Sequence, residues 1–554
     1  MPVRDIDRRT LLRGGLAGGA AIGAAALLAG CRPGAPQAGG VSGGTAAEGA
    51  GGGPAGSLIL PGSPLVAAAE DARFTTGKVR SHAISLVAGM VDLGGPVVAT
   101  WSYDGMVPGP VIRVSKGDVV RATFTNRISQ PTTVHWHGVE LRNNMDGTLV
   151  TQQPIQPGAS FTYEFRASEP GTYWYHPHVG TQADRGLYGM LIVDDPAEAG
   201  DYDQEWLVVL DDWIDGVAGQ TPDTVLGLLR QGMAGMGSTG QASPSPSAMG
   251  SMGSMDSMGS MGGSMGSGTG SGVLLSGAAS RLLGGDAGDV KYPYYLVNGR
   301  VPAAPHVFTG KPGQRVRIRI LNAGGDTAFR VALGGHEMTV THTDGRPCQP
   351  VRTKALLLGM AERYDVLVTL KDGVFPLAAC AEGKNWTAQA VVRTGAGAAP
   401  APGTWPAELN GVLRGYGRLR PLPSADPAPR EPDLVATVKL TGSMAEYSWG
   451  FNGRMYPMGE QFTGPSYPRL VRVRRGQRAR ITWVNTTKMW HPMHIHGHTF
   501  QVNGTGPRKD TVNVLPGQTV TCDFDTDNPG QWMTHCHNVY HEQSGMMGII
   551  GYVT

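Results

Sequence analysis

The chain has 554 residues, room for three domains of ordinary size, and its Gly 83 and Pro 40 with many short Val/Ile/Thr runs suit a turn-rich β protein. A formal net charge of +2 implies no acidic partner, and the lack of basic stretches interleaved with aromatics excludes nucleic acid.

The first residues read as an address rather than as fold. DRRTLLR (7–13) has the form of a twin-arginine export signal, and the run 14–30 is too rich in glycine for a permanent membrane span. LAGC (28–31) matches a lipoprotein processing site that leaves Cys31 lipidated as the mature N-terminus. Residues 1–31 are thus expected to be a signal and 32–70, rich in Gly, Ala, Pro and Ser, a flexible tether. The expected location is the cell envelope, anchored as a lipoprotein on the outer face of the cytoplasmic membrane.

Beyond the tether the chain repeats itself. KGDVVRATFTN (116–126), KPGQRVRIRILN (311–322) and RRGQRARITWVN (474–485) each place Gly and Asn nine residues apart, as Gly117/Asn126, Gly313/Asn322 and Gly476/Asn485. Three related β-domains follow, over 71–200, 201–398 and 434–554, with a Pro-rich connector at 399–433. The second carries a Gly/Ser-rich stretch with methionines from Met233 to Met265, five of them spaced by three. Gly and Ser disfavour a helix there, and thioethers are soft ligands suited to Cu(I). Cys348 and Cys380, both in the second domain, could pair in an oxidising compartment, whereas Cys522 sits mid-strand as a buried thiol.

The third domain ends in THCHNVYHEQSGM (534–546). If 532–537 is extended, alternation puts His535 and His537 on one face and Cys536 on the other, so the segment feeds two sites. Cys536, His541 and Met546, with His491 from HPMHIHGH (491–498), make the His, His, Cys and weak axial Met set of a blue-copper site. A structural zinc site is the alternative, but zinc favours Cys-rich tetrahedra.

The first and third units align at a constant offset of 359 residues (Gly476 on Gly117). At that offset His494 and His496 fall on His135 and His137 of HWHG, and His535 and His537 fall on His176 and His178 of YHPH. His491, Cys536, His541 and Met546 fall instead on Thr132, Pro177, Gln182 and Leu187, so the first unit has no thiolate site. The middle unit has Val331 and Leu333 where the first has His135 and His137, and so no metal site of this kind. Eight imidazoles shared by domains one and three suit three coppers. His498 lies outside the full ligand set and reads as structural.

HWHG, HPH, HPMHIHGH and HCHNVYHEQSGM resemble the four copper segments of three-domain bacterial multicopper oxidases, the laccase and cuprous-oxidase group, from about residue 80 to the C-terminus. The resemblance implies an all-β fold of three cupredoxin-like Greek-key domains and four copper ions. It implies a type 1 copper held by His491, Cys536, His541 and Met546, and a type 2 copper held by His135 and His494. The type 3 pair would then be held by His137, His176, His178, His496, His535 and His537. It further implies that substrate is oxidised one electron at a time at the type 1 site, that electrons pass through Cys536, and that O2 is reduced to water at the cluster. Asp146 and Glu542 resemble the acidic residues that family members place near the cluster as proton donors. The complete ligand set disfavours a non-catalytic copper-binding protein. Two reductants stay open: Cu(I), in copper tolerance, favoured by a Met233–Met265 loop that gathers it, or a small phenol or aromatic amine. The oligomeric state is not legible in the sequence.

Overall fold

The Gly…Asn repeat proves to be a turn and a clamp. The structure, a computed structural model, describes residues 54–198, 200–236, 271–275, 277–423, 430–456 and 468–554. In each repeat the glycine takes a left-handed φ, 85° at Gly117, 84° at Gly313 and 86° at Gly476, a conformation that side chains with a Cβ resist. A strand then runs to the asparagine: Val119–Asn126, Arg315–Asn322 and Arg478–Asn485. Each asparagine amide bridges a carbonyl of the following loop to one of a segment remote in sequence, Gln130 and Ile155 for Asn126, Thr327 and Leu358 for Asn322, Met489 and Val514 for Asn485. Each side-chain oxygen accepts from the backbone two residues on, a local turn that asparagine is built to make.

Three two-sheet sandwiches result, of four and four, six and five, and six and five strands. In each, the repeat strand pairs in parallel with the strand that opens the unit, Val79–Asp92, Gln204–Trp213 and Leu434–Ser443. Each pair of sheets closes on its own apolar core. The fold is all-β, as expected; the helices Pro64–Asp71, Pro222–Met236 and Val539–Gln543 are accessories. Among the described residues no helix is long and apolar enough to cross a membrane.

Three expectations are corrected. The tether does not extend to residue 70: Leu58 bridges to Val553, the Ile59 N–H donates to the Tyr552 carbonyl at 2.8 Å, and Ile59 is buried. Pro64–Asp71 is a helix, capped by the Ser63 hydroxyl with proline at its first turn, and Arg166 donates to the carbonyls of Glu70, Asp71 and Arg73 at its end. Cys348 and Cys380 are free thiols, because they lie in different sheets and different apolar clusters. Cys522 is likewise a buried thiol. The export signal and Cys31 lie outside the described residues. So do the methionines from Met249 to Met265; against the expectation of no helix in the Met-rich stretch, helix Pro222–Met236 takes in Met233 and Met236, and the turn Ser271–Val273 follows the stretch.

Candidate metal centres

Two ladders of the first and third sandwiches meet edge on. In one, His135 pairs with His176; in the other, His494 pairs with His535 and Met493 with Cys536. Alternation does what the sequence suggests: Trp136 enters the core of the first sandwich, and Met493, Ile495 and Cys536 enter the core of the third. The imidazoles point the other way, into the seam. There His135 stacks on His496 and His137 on His494, each with ring centroids 3.8 Å apart, and His137 and His176 lie 5.0 and 5.3 Å from His537. The Nε2 of His535 lies 3.3 Å from that of His178 and 3.1 Å from that of His496. The structure thus brings all eight seam histidines into one cluster.

Their hydrogen bonds fix which nitrogen faces inward. Nδ1 of His135, His176 and His494 donates to the carbonyls of Asp146, Pro177 and Asp510 at 2.8, 2.9 and 2.8 Å, leaving Nε2 with a free lone pair. His137 is reversed: its Nε2 donates to Asp510 Oδ1 at 3.0 Å. The inward atoms, Nε2 of His135, His176 and His494, Nδ1 of His137 and both nitrogens of His537, are buried without a partner. Burial first, and then the neighbouring imidazoles, push His137, His176, His494, His496 and His537 well below their usual range, and His178 down to about 4. Neutral imidazoles with converging lone pairs are costly in a dry seam unless a cation binds them, so the residues fit copper.

The second site lies behind Cys536. Its Sγ is 3.6 Å from His491 Nδ1 and 3.7 Å from His541 Nδ1. The helix Val539–Gln543 places His541, and it starts there because the Asn538 side chain accepts from the N–H groups of Tyr540 and His541. Met546 is fully buried in the same core as Cys536, and its carbonyl accepts from the Cys536 N–H. Burial pushes the Cys536 thiol well up, so metal uptake there releases a proton.

Asp146 and Glu542 are both buried at the cluster. Asp146 accepts from His496 Nδ1 at 3.1 Å, and Glu542 lies 3.0 Å from His535 Nδ1 and 3.5 Å from His178 Nδ1. Burial raises the Glu542 carboxyl, but the His178 and His535 imidazoles outweigh it and hold the group at about 2. His498 faces away, donating to the His496 carbonyl and lying 2.6 Å from the Tyr552 hydroxyl, a structural role as expected.

Sequence reasoning missed two aspartates. Asp510 braces His137 and is itself gripped by Arg363 of the middle domain, with Nη2 at 2.6 Å from Oδ2. Asp289 accepts from His541 Nε2 at 3.1 Å, the nitrogen that faces away from Cys536, and from the Tyr447 hydroxyl at 2.8 Å. Neither sits in a motif; each is joined to its histidine only by the fold.

Three β-sandwiches holding a thiolate–imidazole site beside an eight-imidazole cluster, with Cys536 between His535 and His537, define a copper-dependent oxidoreductase. The chain belongs to the multicopper oxidase family: the three multicopper oxidase models match residues 89–198, 275–397 and 429–551. It is 46% identical over 490 residues to the multicopper oxidase MmcO of Mycobacterium tuberculosis, covering 88% of this chain and 90% of that one. It is 27% identical to a copper resistance protein A homolog of Pseudomonas syringae pv. tomato, covering 89% and 94%. Among solved structures, Fet3p, a multicopper oxidase that functions in iron import, superposes with a TM-score of 0.67 at 22% identity, covering 86% and 90%.

Proposed function

We propose that the chain oxidises Cu(I) to Cu(II) at the Cys536 site and reduces O2 at the seam, with four Cu(I), one O2 and four protons giving four Cu(II) and two waters. His491, Cys536, His541 and Met546 would hold one resident copper, His135 and His494 a second, and the other six imidazoles a pair. When bound, these ions supply one-electron storage and the delivery of four electrons to O2.

Asp289 is the observation that carries the choice of Cu(I). Its carboxylate covers the outward nitrogen of His541, and its Oδ1 is buried with no partner. Asp286, half-buried on the same loop, is close enough to feel both Asp289 and His541. Negative charge there favours a cationic donor over a neutral phenol. The flanks of the Met-rich stretch converge on this spot: Arg230 donates to the Gln543 carbonyl at 2.6 Å, and Leu275 N–H to the Asp289 carbonyl at 2.9 Å. That supports delivery of Cu(I) by thioethers, as does the copper-resistance role in one relative's name.

Oxygen consumption by the copper-loaded protein with Cu(I), Fe(II) or a methoxyphenol at matched concentrations tests this. Cu(I) is expected to be fastest, with the advantage at low Cu(I) lost on deleting 237–265; a faster methoxyphenol makes the protein a laccase-like oxidase of phenols.

Within the cluster, Asp146 and Glu542 hold the imidazoles of His496, His535 and His178 in register and carry protons inward. Asp146→Asn and Glu542→Gln are each expected to lower turnover about 10–100-fold, with a larger solvent isotope effect and unchanged copper content. Full turnover in either variant removes that residue from proton supply. Export rests on the DRRTLLR motif and a lipid anchor at Cys31 on LAGC; mass spectrometry of the mature chain that finds Cys31 without acyl groups refutes the anchor.

A further inference from the structure

A cavity of about 570 Å³ lies where the middle domain, the Pro-rich connector and the third domain meet, and none of the copper-binding side chains lines it. Its walls include Arg281, Arg414 and Arg420 and, among the described residues, no aspartate or glutamate. Elsewhere this chain spends its arginines on carboxylates: Arg113, Arg317, Arg346 and Arg478 each hold one or more. Here they are uncommitted. Arg281 and Arg414 make no ion pair among the described residues, and Arg420 donates only to the carbonyls of Gly417 and Leu419. The cavity also has an apolar wall, built on the buried side chains of Leu356, Leu413 and Val520, and neutral polar residues at Asn503, Thr505, Gln518 and Thr519.

Part of the cavity's polar floor is tied to Glu362, while the Asn513 Oδ1 is buried without a partner. The Tyr416 hydroxyl donates to Glu362 Oε1 at 2.8 Å and the Asn513 amide to Glu362 Oε2 at 2.7 Å, so Glu362 is turned away from the opening and neutralises none of the arginines. Glu362 is matched instead by Lys509 at 3.0 Å. The charge left facing the space is guanidinium, and it shares the cavity with a hydrocarbon wall.

We propose that this cavity binds a small amphipathic organic anion, its apolar body on the Leu356, Leu413 and Val520 wall and its single carboxylate or phosphate head on Arg281, Arg414 and Arg420. The volume falls in the range of small-molecule sites, and guanidinium groups suit either head group through paired N–H donors. The proposal is independent of which reductant the enzyme uses.

Calorimetric titration of the copper-loaded full chain tests it with matched probes: 4-phenylbutyrate, 4-phenylbutyl phosphate and the neutral 4-phenylbutanol. At least one anion is expected to bind about tenfold or more tightly than the alcohol, and whichever binds more tightly identifies the head group. An Arg281→Gln/Arg414→Gln double variant, altered only at exposed side chains, is expected to lose that margin while keeping the wild-type melting temperature and visible absorption. Binding of neither anion more tightly than the alcohol, or undiminished anion binding by the double variant, overturns the proposal.

Discussion

Replacing Cys536 by serine is expected to abolish oxygen consumption with every one-electron donor, to erase the intense visible absorption of a copper–thiolate bond, and to lower bound copper by one ion per chain. Sγ is the one anionic soft ligand within reach of both His491 and His541, and a serine hydroxyl at the same place is neutral and hard. The loss should be confined to that site. His494 and His535 sit on the strands that carry His491 and Cys536 but face the other way, and His135, His137, His176 and His178 belong to the first sandwich. The seam's polar contacts run to Asp146, Asp510, Glu542 and main-chain carbonyls rather than to the thiol. Serine also fits the space, so the fold is retained. Spectroscopy and copper analysis on one sample separate the two sites: a variant that keeps its turnover would mean that electrons reach the seam without passing through residue 536.

The second large effect is expected from Asp289→Asn. The amide oxygen can still accept from His541 Nε2, so the shape of the site survives while its charge does not. If Asp289 steadies a cation at the edge of His541, its loss removes a charge-assisted contact and raises the KM for Cu(I) about ten- to a hundredfold. The methoxyphenol rate should hardly change, since a neutral donor gains nothing from the carboxylate. A parallel fall with both donors would instead make Asp289 a support for the resident copper and would remove the argument for Cu(I).

The copper segments were legible because their spacing is local. A His-x-His pair on a strand needs only the two-residue period to put both rings on one face, and the constant offset between the first and third units paired the segments without any knowledge of the fold. The Gly…Asn repeat was legible for the same reason, since its glycine turn and its asparagine lie nine residues apart in one short stretch, although the asparagine's second carbonyl does not. What escaped were contacts between segments remote in sequence. Asp289 meets His541 across 252 residues and Asp510 meets His137 across 373, in stretches where an aspartate carries no mark of its purpose. The tether was overextended for another reason. Its Gly/Ala-rich composition continues toward a stretch whose Ser63-Pro64 start announces a helix, and the composition masked that local signal.

None of the side chains proposed to hold the resident coppers comes from the middle sandwich, yet it supplies the guanidinium of Arg363 that balances Asp510 beside His137, and the carboxylate of Asp289 on His541. It therefore acts as the electrostatic keystone of both copper sites. A shortened enzyme made by joining the outer two sandwiches directly would keep every residue proposed to bind copper, leave Asp510 as a buried charge without its counterpart, and deny His541 its acceptor, so the ancestral-looking minimal version of this protein is one that its present seam forbids.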